Sequence, residues 1–185
     1  MDHRLVAWGR AVKARRRSRC PPLWLFTDAG RMGDVVAAVR GLPAGLCGVV
    51  FRHDGVAGRA GLLRKVSAVC RRRRLVLVVA GAGGVPAGAG RHLREGRGSG
   101  GRTSSAHGRA GLVRARRAGV ALVFVSPAFP TASHPGARGL GPVRWGRLTR
   151  QAGVCVAALG GVDGASVRRL PRWAVAVGAI GALSA

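Results

Sequence analysis

Short runs of apolar and often β-branched residues recur along the chain, and segments with apolar residues at helical spacing separate most of them. The runs show little alternation of apolar and polar positions, which is typical of strands buried on both faces of a parallel sheet. The pattern predicts eight strands, at residues 23–28, 48–53, 75–80, 91–93, 102–106, 120–125, 154–159 and 173–177.

The clearest helical pattern covers residues 57–74, where Leu62, Leu63, Val66 and Val69 recur at helical spacing. Residues 1–20 predict a basic helix that ends before Pro21. In the segment 81–101 glycine and alanine dominate, and only the short fourth strand is predicted there. Further helices are predicted at 34–42, 108–117, 143–151 and 164–170.

Strands that alternate with helices predict an α/β fold, here a (β/α)8 TIM barrel that is short for its class. A doubly wound open sheet is the alternative. The length of 185 residues fits one domain. We expect a basic N-terminal arm over residues 1–21 and the barrel over residues 22–185. In a barrel, the functional groups lie where the strands end.

The formal net charge is +26, from 32 Lys+Arg against 6 Asp+Glu. Nearly all of these cations are arginine, and a chain rich in Arg, Ala, Gly and Val is also what a coding sequence rich in guanine and cytosine produces. We therefore expect attraction of anionic substrates but no nucleic-acid partner, since the aromatic platforms of a single-strand binder are absent. No apolar run approaches the roughly 18 residues of a membrane span, and no secretory signal is evident. Widely spaced cysteines, among them Cys47 and Cys155 as buried strand residues, fit a reduced cytoplasmic protein.

Candidate chemistry is concentrated after the last three strands. Residues 126–135 read Ser-Pro-Ala-Phe-Pro-Thr-Ala-Ser-His-Pro, Gly160 and Gly161 follow the seventh strand, and Gly178 follows the eighth. Short hydroxyl side chains and glycines let backbone N–H groups approach an anion closely. These loops predict a pocket for a phosphate group.

Together with Ser105-Ala106-His107, these loops resemble the thiamine phosphate synthase family, which includes the thiazole tautomerases. The family signatures Pro-x-Phe-x-Thr-x-Thr-Lys, Ile-Gly-Gly-Ile and Val-Ser-Ala-Ile have counterparts at 127–134, 159–162 and 177–180, in the same order. The resemblance covers roughly residues 22–182. It implies a transferase that joins 4-amino-5-hydroxymethyl-2-methylpyrimidine diphosphate to thiazole ethyl phosphate and releases pyrophosphate.

The resemblance also implies roles for single residues. The thiazole phosphate is bound by hydroxyl groups and by backbone, and the pyrimidine diphosphate by a serine and an arginine. His134 stands where the family has a lysine. The matching positions for the thiazole phosphate are Thr131, Ser133, Gly160, Gly161, Val177 and Gly178, and those for the diphosphate are Arg52 and Ser105.

The sequence departs from the family at its metal site. The family binds Mg²⁺ through carboxylates, but the matching positions hold Ala80-Gly81 and, approximately, Arg97. Either Arg52, Arg94 and Arg97 supply the counter-charge instead, or synthase activity is weakened or lost.

Two alternatives to the transferase stay open. In the first, a thiazole phosphate tautomerase, His107 acts as the proton shuttle, although the same residue could simply cap the first turn of the next helix. In the second, a non-catalytic basic barrel binds phosphorylated ligands or nucleic acid. His92 is expected to be a packing residue rather than a ligand.

Overall fold

The computed structural model describes residues 1–16, 20–131, 136 and 138–184. Eight parallel strands close into a barrel in sequence order, and the last strand pairs with the first. Leu23 in the first strand lies opposite Cys47 on one side and Val177 on the other. The predicted barrel is therefore confirmed, and the open sheet is wrong. The strands are β1 (Leu23–Phe26), β2 (Cys47–Phe51), β3 (Val76–Ala80), β4 (Gly90–Leu93), β5 (Gly101–Ala106), β6 (Leu122–Val125), β7 (Val156–Leu159) and β8 (Ala174–Ala179).

The helices cover most of the barrel but not every connection. Residues 81–89, between β3 and β4, and residues 94–100, between β4 and β5, are described throughout and contain no helix. These two helix-free connections explain how so short a chain completes a barrel. The helical elements are α1 (His3–Arg15), α2 (Val35–Gly41), α3 (Arg59–Arg73), α4 (Arg109–Arg117), α5 (Gly141–Thr149), a single 3₁₀ turn (Ser166–Arg169) and α6 (Gly181–Ser184).

Aromatic rings fill the barrel interior, and glycines make room for them. The Trp24 and Phe26 rings both pack edge-on against Phe124, with ring centroids 5.5 and 4.8 Å away. A Cβ on Gly48 would lie 2.5 Å from the Trp24 ring, and one on Gly178 would lie 2.6 Å from the Phe26 ring. Large and small residues on neighbouring strands therefore fill the interior together.

The basic N-terminal segment is a helix packed on the barrel. Leu5, Val6 and Val12 of α1 are buried, and Gly9 approaches the Leu23 side chain. The Asp2 carboxylate caps α1 and also accepts a hydrogen bond of 2.6 Å from the Gly164 N–H. Helix α1 thus contributes to the same core as the strands.

Burial of the cysteines differs in part from expectation. Cys47 and Cys70 are buried, and burial raises the pKa of each thiol to about 12. Cys155 is exposed, so its predicted burial is wrong; β7 begins one residue later, at Val156. Among the described residues, no helix is long and apolar enough to cross a membrane.

Candidate functional site

The loops that follow β6 and β7 are joined by backbone hydrogen bonds at the carboxyl end of the barrel. The Ala128 N–H donates to the Leu159 carbonyl oxygen at 2.8 Å, and the Phe129 N–H donates to that of Gly160 at 3.0 Å. The Leu140 N–H in turn donates to the Pro127 carbonyl oxygen at 3.0 Å. The start of the Ser-Pro-Ala-Phe-Pro segment is therefore held against the end of β7.

Gly160 and Gly161 adopt left-handed backbone angles, with φ of 90° and 62°. A Cβ on Gly161 would lie 2.1 Å from the Pro130 carbonyl oxygen, so Thr131, the next residue, lies beside this glycine pair. None of the described residues accepts a hydrogen bond from the N–H of Gly160 or Gly161. Two backbone donors thus remain for an anion next to a threonine.

The end of β8 adjoins the same place. Gly178 lies opposite Leu159 in the register of β7 and β8, so the loops predicted to converge are neighbours. The Val177 N–H, however, donates to the Pro22 carbonyl oxygen at 2.9 Å. This N–H is therefore not free to donate to the thiazole phosphate, the contact that was predicted for Val177. A side chain at Gly178 would collide with the Phe26 ring, which explains why a glycine stands there. Ser133 and His134 lie outside the described residues.

His107 follows β5 and presents an imidazole at the mouth of the barrel. Its Nδ1 lies 2.9 Å from the Ser126 carbonyl oxygen and 3.2 Å from Ser126 Oγ. Its backbone N–H donates to Glu95 Oε1 at 2.8 Å, and its Nε2 lies 3.7 Å from the same oxygen. Helix α4 has no side-chain cap, so the ring is held by Ser126 and does not cap the helix.

Sequence reasoning missed the part that Glu95 plays. Residues 94–97 form a tight turn in which Glu95 and Gly96 have φ of 53° and 68°. Glu95 Oε2 pairs with Arg114 Nη2 at 3.1 Å, and the Glu95 N–H donates to Ser105 Oγ at 3.3 Å. Ser105, predicted to meet the diphosphate, therefore lies next to this turn. The only sequence signal was a Glu-Gly pair between two arginines.

Two arginines approach the mouth above His92. Arg52 Nη2 lies 3.4 Å from Asp28 Oδ2, and its guanidinium lies 5.9 Å from the centroid of the Phe26 ring. His92 is buried, with Nδ1 2.8 Å from Thr103 Oγ1. Burial, together with the charges of Arg52 and Arg94, lowers the pKa of His92 to about 4. The position and burial of His92 are those of a packing residue, as expected.

The carboxylates at the mouth are paired with arginines. Besides Asp28 and Glu95, Asp54 lies 3.6 Å from Arg59 Nη2. Asp54 Oδ1 also lies 1.7 Å from the point that a Cβ on Gly81 would take, so it brings a carboxylate near the first of the missing family positions. Among the described residues no group of three or more His, Cys, Asp or Glu could hold a metal ion. The donor set therefore does not fit a Mg²⁺ site, which needs several oxygen ligands.

Comparison with known proteins supports the fold. No profile of a known protein family matches the chain, and no curated protein matches it in sequence. Thiamine phosphate pyrophosphorylase from Pyrococcus furiosus is similar in structure with a TM-score of 0.72 and 18% identity, over 88% of this chain and 87% of that one. A HpcH/Hpal aldolase/citrate lyase family protein from Burkholderia cenocepacia J2315 has a TM-score of 0.55 and 16% identity, over 95% and 94%. The resemblance predicted from the loops is thus confirmed as a likeness of fold.

Proposed function

We propose that the chain is a thiamine phosphate synthase-like transferase that joins the pyrimidine diphosphate to thiazole ethyl phosphate. The observation that carries this proposal is the junction of the β6 and β7 loops at the mouth of the barrel. There the Gly160 and Gly161 N–H groups stand beside Thr131. The similarity of fold to thiamine phosphate pyrophosphorylase, over 88% of this chain, supports the same assignment.

The reaction requires little covalent chemistry from the protein. The bond between the pyrimidine methylene carbon and the diphosphate oxygen breaks, pyrophosphate leaves with the electron pair, and the thiazole nitrogen forms the new bond to carbon. The delocalised pyrimidine cation needs no protein nucleophile, so catalysis consists of stabilising the leaving anion and aligning the nitrogen. Thiazole phosphate held against Gly160 and Gly161 would supply that alignment.

Arginines carry the counter-charge for the leaving group in this proposal. Arg52 and Arg94 both lie close enough to His92 for their charges to lower its pKa, which places them at the mouth of the barrel. A guanidinium group binds phosphate oxygens through paired hydrogen bonds. In this proposal no metal ion takes part, because the carboxylates at the mouth that could bind one are paired with arginines.

A coupled assay with both substrates tests the transferase. We expect thiamine phosphate to form with and without Mg²⁺, and Arg52→Gln to lower kcat/KM by about a hundredfold, the usual cost of one charge-stabilising donor. Arg64→Gln, an exposed change on α3, is the matched control. Absence of product under both conditions would overturn the proposal.

A second candidate, a thiazole phosphate tautomerase, is favoured by the geometry of His107. When Nδ1–H donates to the Ser126 carbonyl oxygen, Nε2 carries the lone pair and can move a proton at the mouth. Deuterium from solvent should then enter the thiazole without the pyrimidine substrate, and His107→Ala should abolish that exchange. His3→Ala, an exposed histidine of α1, serves as the control. Exchange without thiamine phosphate formation would select this function over the transferase, and the absence of both reactions would leave the non-catalytic barrel.

Ser133 gives a further test of the phosphate site. Ser133→Ala is expected to weaken thiazole phosphate binding by about 1 kcal/mol, the cost of one hydrogen bond. Isothermal titration with thiazole phosphate measures this difference.

A further inference from the structure

A group of exposed cations lies at one end of the barrel. Each helix of a parallel barrel runs back against its strand, so the last turns of the helices lie at the amino ends of the strands. Helix α1 ends with Lys13 and Arg15, α3 ends with Arg71–Arg73, and α4 ends with Arg116 and Arg117. We call the exposed surface formed by Lys13, Arg15, Arg16, Arg72, Arg74 and Arg117 the amino-end face.

Contacts between neighbouring segments bring the ends of α1 and α3 together. The Lys13 ammonium donates to the carbonyl oxygen of Gly45, which precedes β2. Arg16 Nη2 donates to the carbonyl oxygen of Arg172, which precedes β8, at 2.8 Å. Lys13 and Arg74 line a cleft of about 300 Å³ between α1 and the starts of β2 and β3. Lys13, Arg16 and Arg74 therefore lie around the amino ends of β1, β2, β3 and β8, and Arg117, at the end of α4, lies at the same end of the barrel.

All six acidic residues of the chain lie at the opposite end. Asp2 and Asp34 cap the first turns of α1 and α2. The other four carboxylates, Asp28, Asp54, Glu95 and Asp163, follow strands β1, β2, β4 and β7. In the described part of the chain, the amino-end face consequently carries no acidic side chain to neutralise its charge.

A bias in composition can explain how many arginines the chain has. It does not explain why the arginines of the amino-end face lie far from the acidic residues. The helix dipole favours cations at helix ends, typically by about 0.3–1 kcal/mol each. Mutual repulsion of so many neighbouring cations opposes this gain. A polyanion with closely spaced charges would remove that repulsion, which single counter-ions do only in part.

We propose that the amino-end face binds the phosphate backbone of a nucleic-acid duplex without regard to sequence. Guanidinium groups pair with phosphate oxygens through two hydrogen bonds. Helix ends and short turns offer no element that could enter a groove and contact base edges, so the phosphates are the contact. Composition alone predicted no nucleic-acid partner. The proposal departs from that prediction because the sequence did not show that the acidic residues lie at the end opposite the amino-end face.

Single-stranded nucleic acid and a membrane fit the amino-end face less well than a duplex does. All four phenylalanines are buried and tyrosine is absent, so single strands find no stacking platform. A membrane-binding face interleaves apolar side chains with cations. Of the large apolar side chains exposed in the described part of the chain, Trp173 alone lies at this end, and its indole N–H donates to Thr149 Oγ1.

Two variants with equal charge change test the proposal. The first, Arg15→Gln/Arg72→Gln/Arg117→Gln, removes one cation from the last turn of each of α1, α3 and α4. The control, Arg10→Gln/Arg64→Gln/Arg109→Gln, removes one exposed cation from the same three helices away from that turn. Binding of a fluorescent DNA duplex of about 20 base pairs is followed by anisotropy over a series of salt concentrations.

We expect the unmodified protein to bind the duplex with a log–log salt slope of about −4 or steeper. The first variant should lose at least about tenfold in affinity near 100 mM salt and up to about 3 in slope, and the control should change the slope by less than about 1. Equal losses in the two variants would show that only net charge matters and would overturn the proposal. Tighter binding to single strands, or binding to anionic vesicles but not to duplex, would also overturn it. Thiazole phosphate binding should be the same in both variants, so the outcome is independent of the proposed activity.

Discussion

Glycines at the ends of these strands serve two different physical purposes. Gly48 and Gly178 adopt ordinary strand angles and are small because an aromatic ring occupies the space of their side chains. Gly160 and Gly161 have positive φ, where a side chain would be strained, and they approach the β6 loop closely. Only the second pair has the backbone shape that leaves N–H groups open to an anion.

Adding a methyl group at Gly161 is expected to separate the β6 and β7 loops. In Gly161→Ala the Cβ would meet the Pro130 carbonyl oxygen and the backbone would keep a left-handed φ, a combined cost of about 2–3 kcal/mol. The change should also abolish thiazole phosphate binding, and Gly161→Val should be worse. Urea unfolding measures the stability and calorimetric titration the binding.

Gly33→Ala provides the comparison, because nothing lies within 4 Å of a Cβ there and its φ is not positive. Its stability and affinity should match those of the unmodified protein. If Gly161→Ala bound thiazole phosphate normally, the phosphate site would have to lie elsewhere.

His92 should make the stability of the protein depend on pH. Its pKa is lowered from an ordinary value of 6.5 to about 4 because it is buried, so the unfolded chain takes up a proton first as the pH falls. The free energy of unfolding should be constant above about pH 6.5 and should fall by roughly 2–3 kcal/mol between pH 7 and 4.5. Urea unfolding at these two pH values gives the difference.

The variant His92→Asn isolates this effect. The amide can still hydrogen-bond to Thr103 but does not titrate, so most of the pH dependence should disappear. The remaining slope belongs to groups such as His53, whose pKa burial also lowers. A pH dependence of unchanged size in His92→Asn would show that His92 does not cause it.

At the level of elements, a four-residue turn stands where a helix would normally cover β4. A Cβ on Gly96 would lie 2.4 Å from the Ala115 backbone N, so the turn packs directly on α4. Arg114 fixes the turn by donating to the Glu95 carbonyl oxygen at 2.8 Å and by pairing with the carboxylate. Helix α4 therefore covers both its own strand and the neighbouring connection.

The N-terminal helix depends on a single carboxylate for two attachments. Asp2 caps α1 through the N–H groups of Arg4 and Leu5 and also binds the Gly164 N–H at 2.6 Å. We expect Asp2→Ala to lower the free energy of unfolding by about 2 kcal/mol, more than the typical 1 kcal/mol for a cap alone. Asp34→Ala, which removes only the hydrogen bond from the Ala37 N–H at the start of α2, is the matched control. Thermal unfolding of both variants should show this order, and equal losses would mean that the bond to Gly164 contributes nothing.

For the molecule as a whole, closure of the barrel places both chain ends against one another. Strand β8 pairs with β1, and the Asp2 N–H donates to the Ala182 carbonyl oxygen at 2.9 Å. The closed sheet also buries the strand residues on both faces, including the thiol of Cys47.

Thiol reactivity should report this closure. Cys155 is exposed and should react with Ellman's reagent rapidly in the native protein. Cys47 and Cys70 should react only after unfolding, because they are buried and their pKa is raised to about 12, which leaves almost no thiolate. Cys155→Ala should remove one fast-reacting thiol, and rapid reaction of Cys47 in the native protein would contradict the closed barrel.

Local patterns along the chain were enough to predict the eight strands, the main helices and the absence of a helix in residues 81–101. They were enough because periodicity and turn residues act over a few neighbouring positions. The order of the three small-residue loops was predictable for the same reason. The strand predicted at 154–159 begins only at Val156. This shift leaves the fold unchanged, but it places Cys155 outside the strand and exposed instead of buried.

Contacts between distant residues were decided only by the tertiary structure. Glu95 meets Arg114 and His107 across a turn that has no helical or strand pattern, and the Val177 N–H is used by Pro22 because β8 closes onto β1. The separation of the acids from the amino-end face likewise arises because every helix runs antiparallel to its strand. Composition gives the number of charges, whereas the path of the chain decides which of them become neighbours.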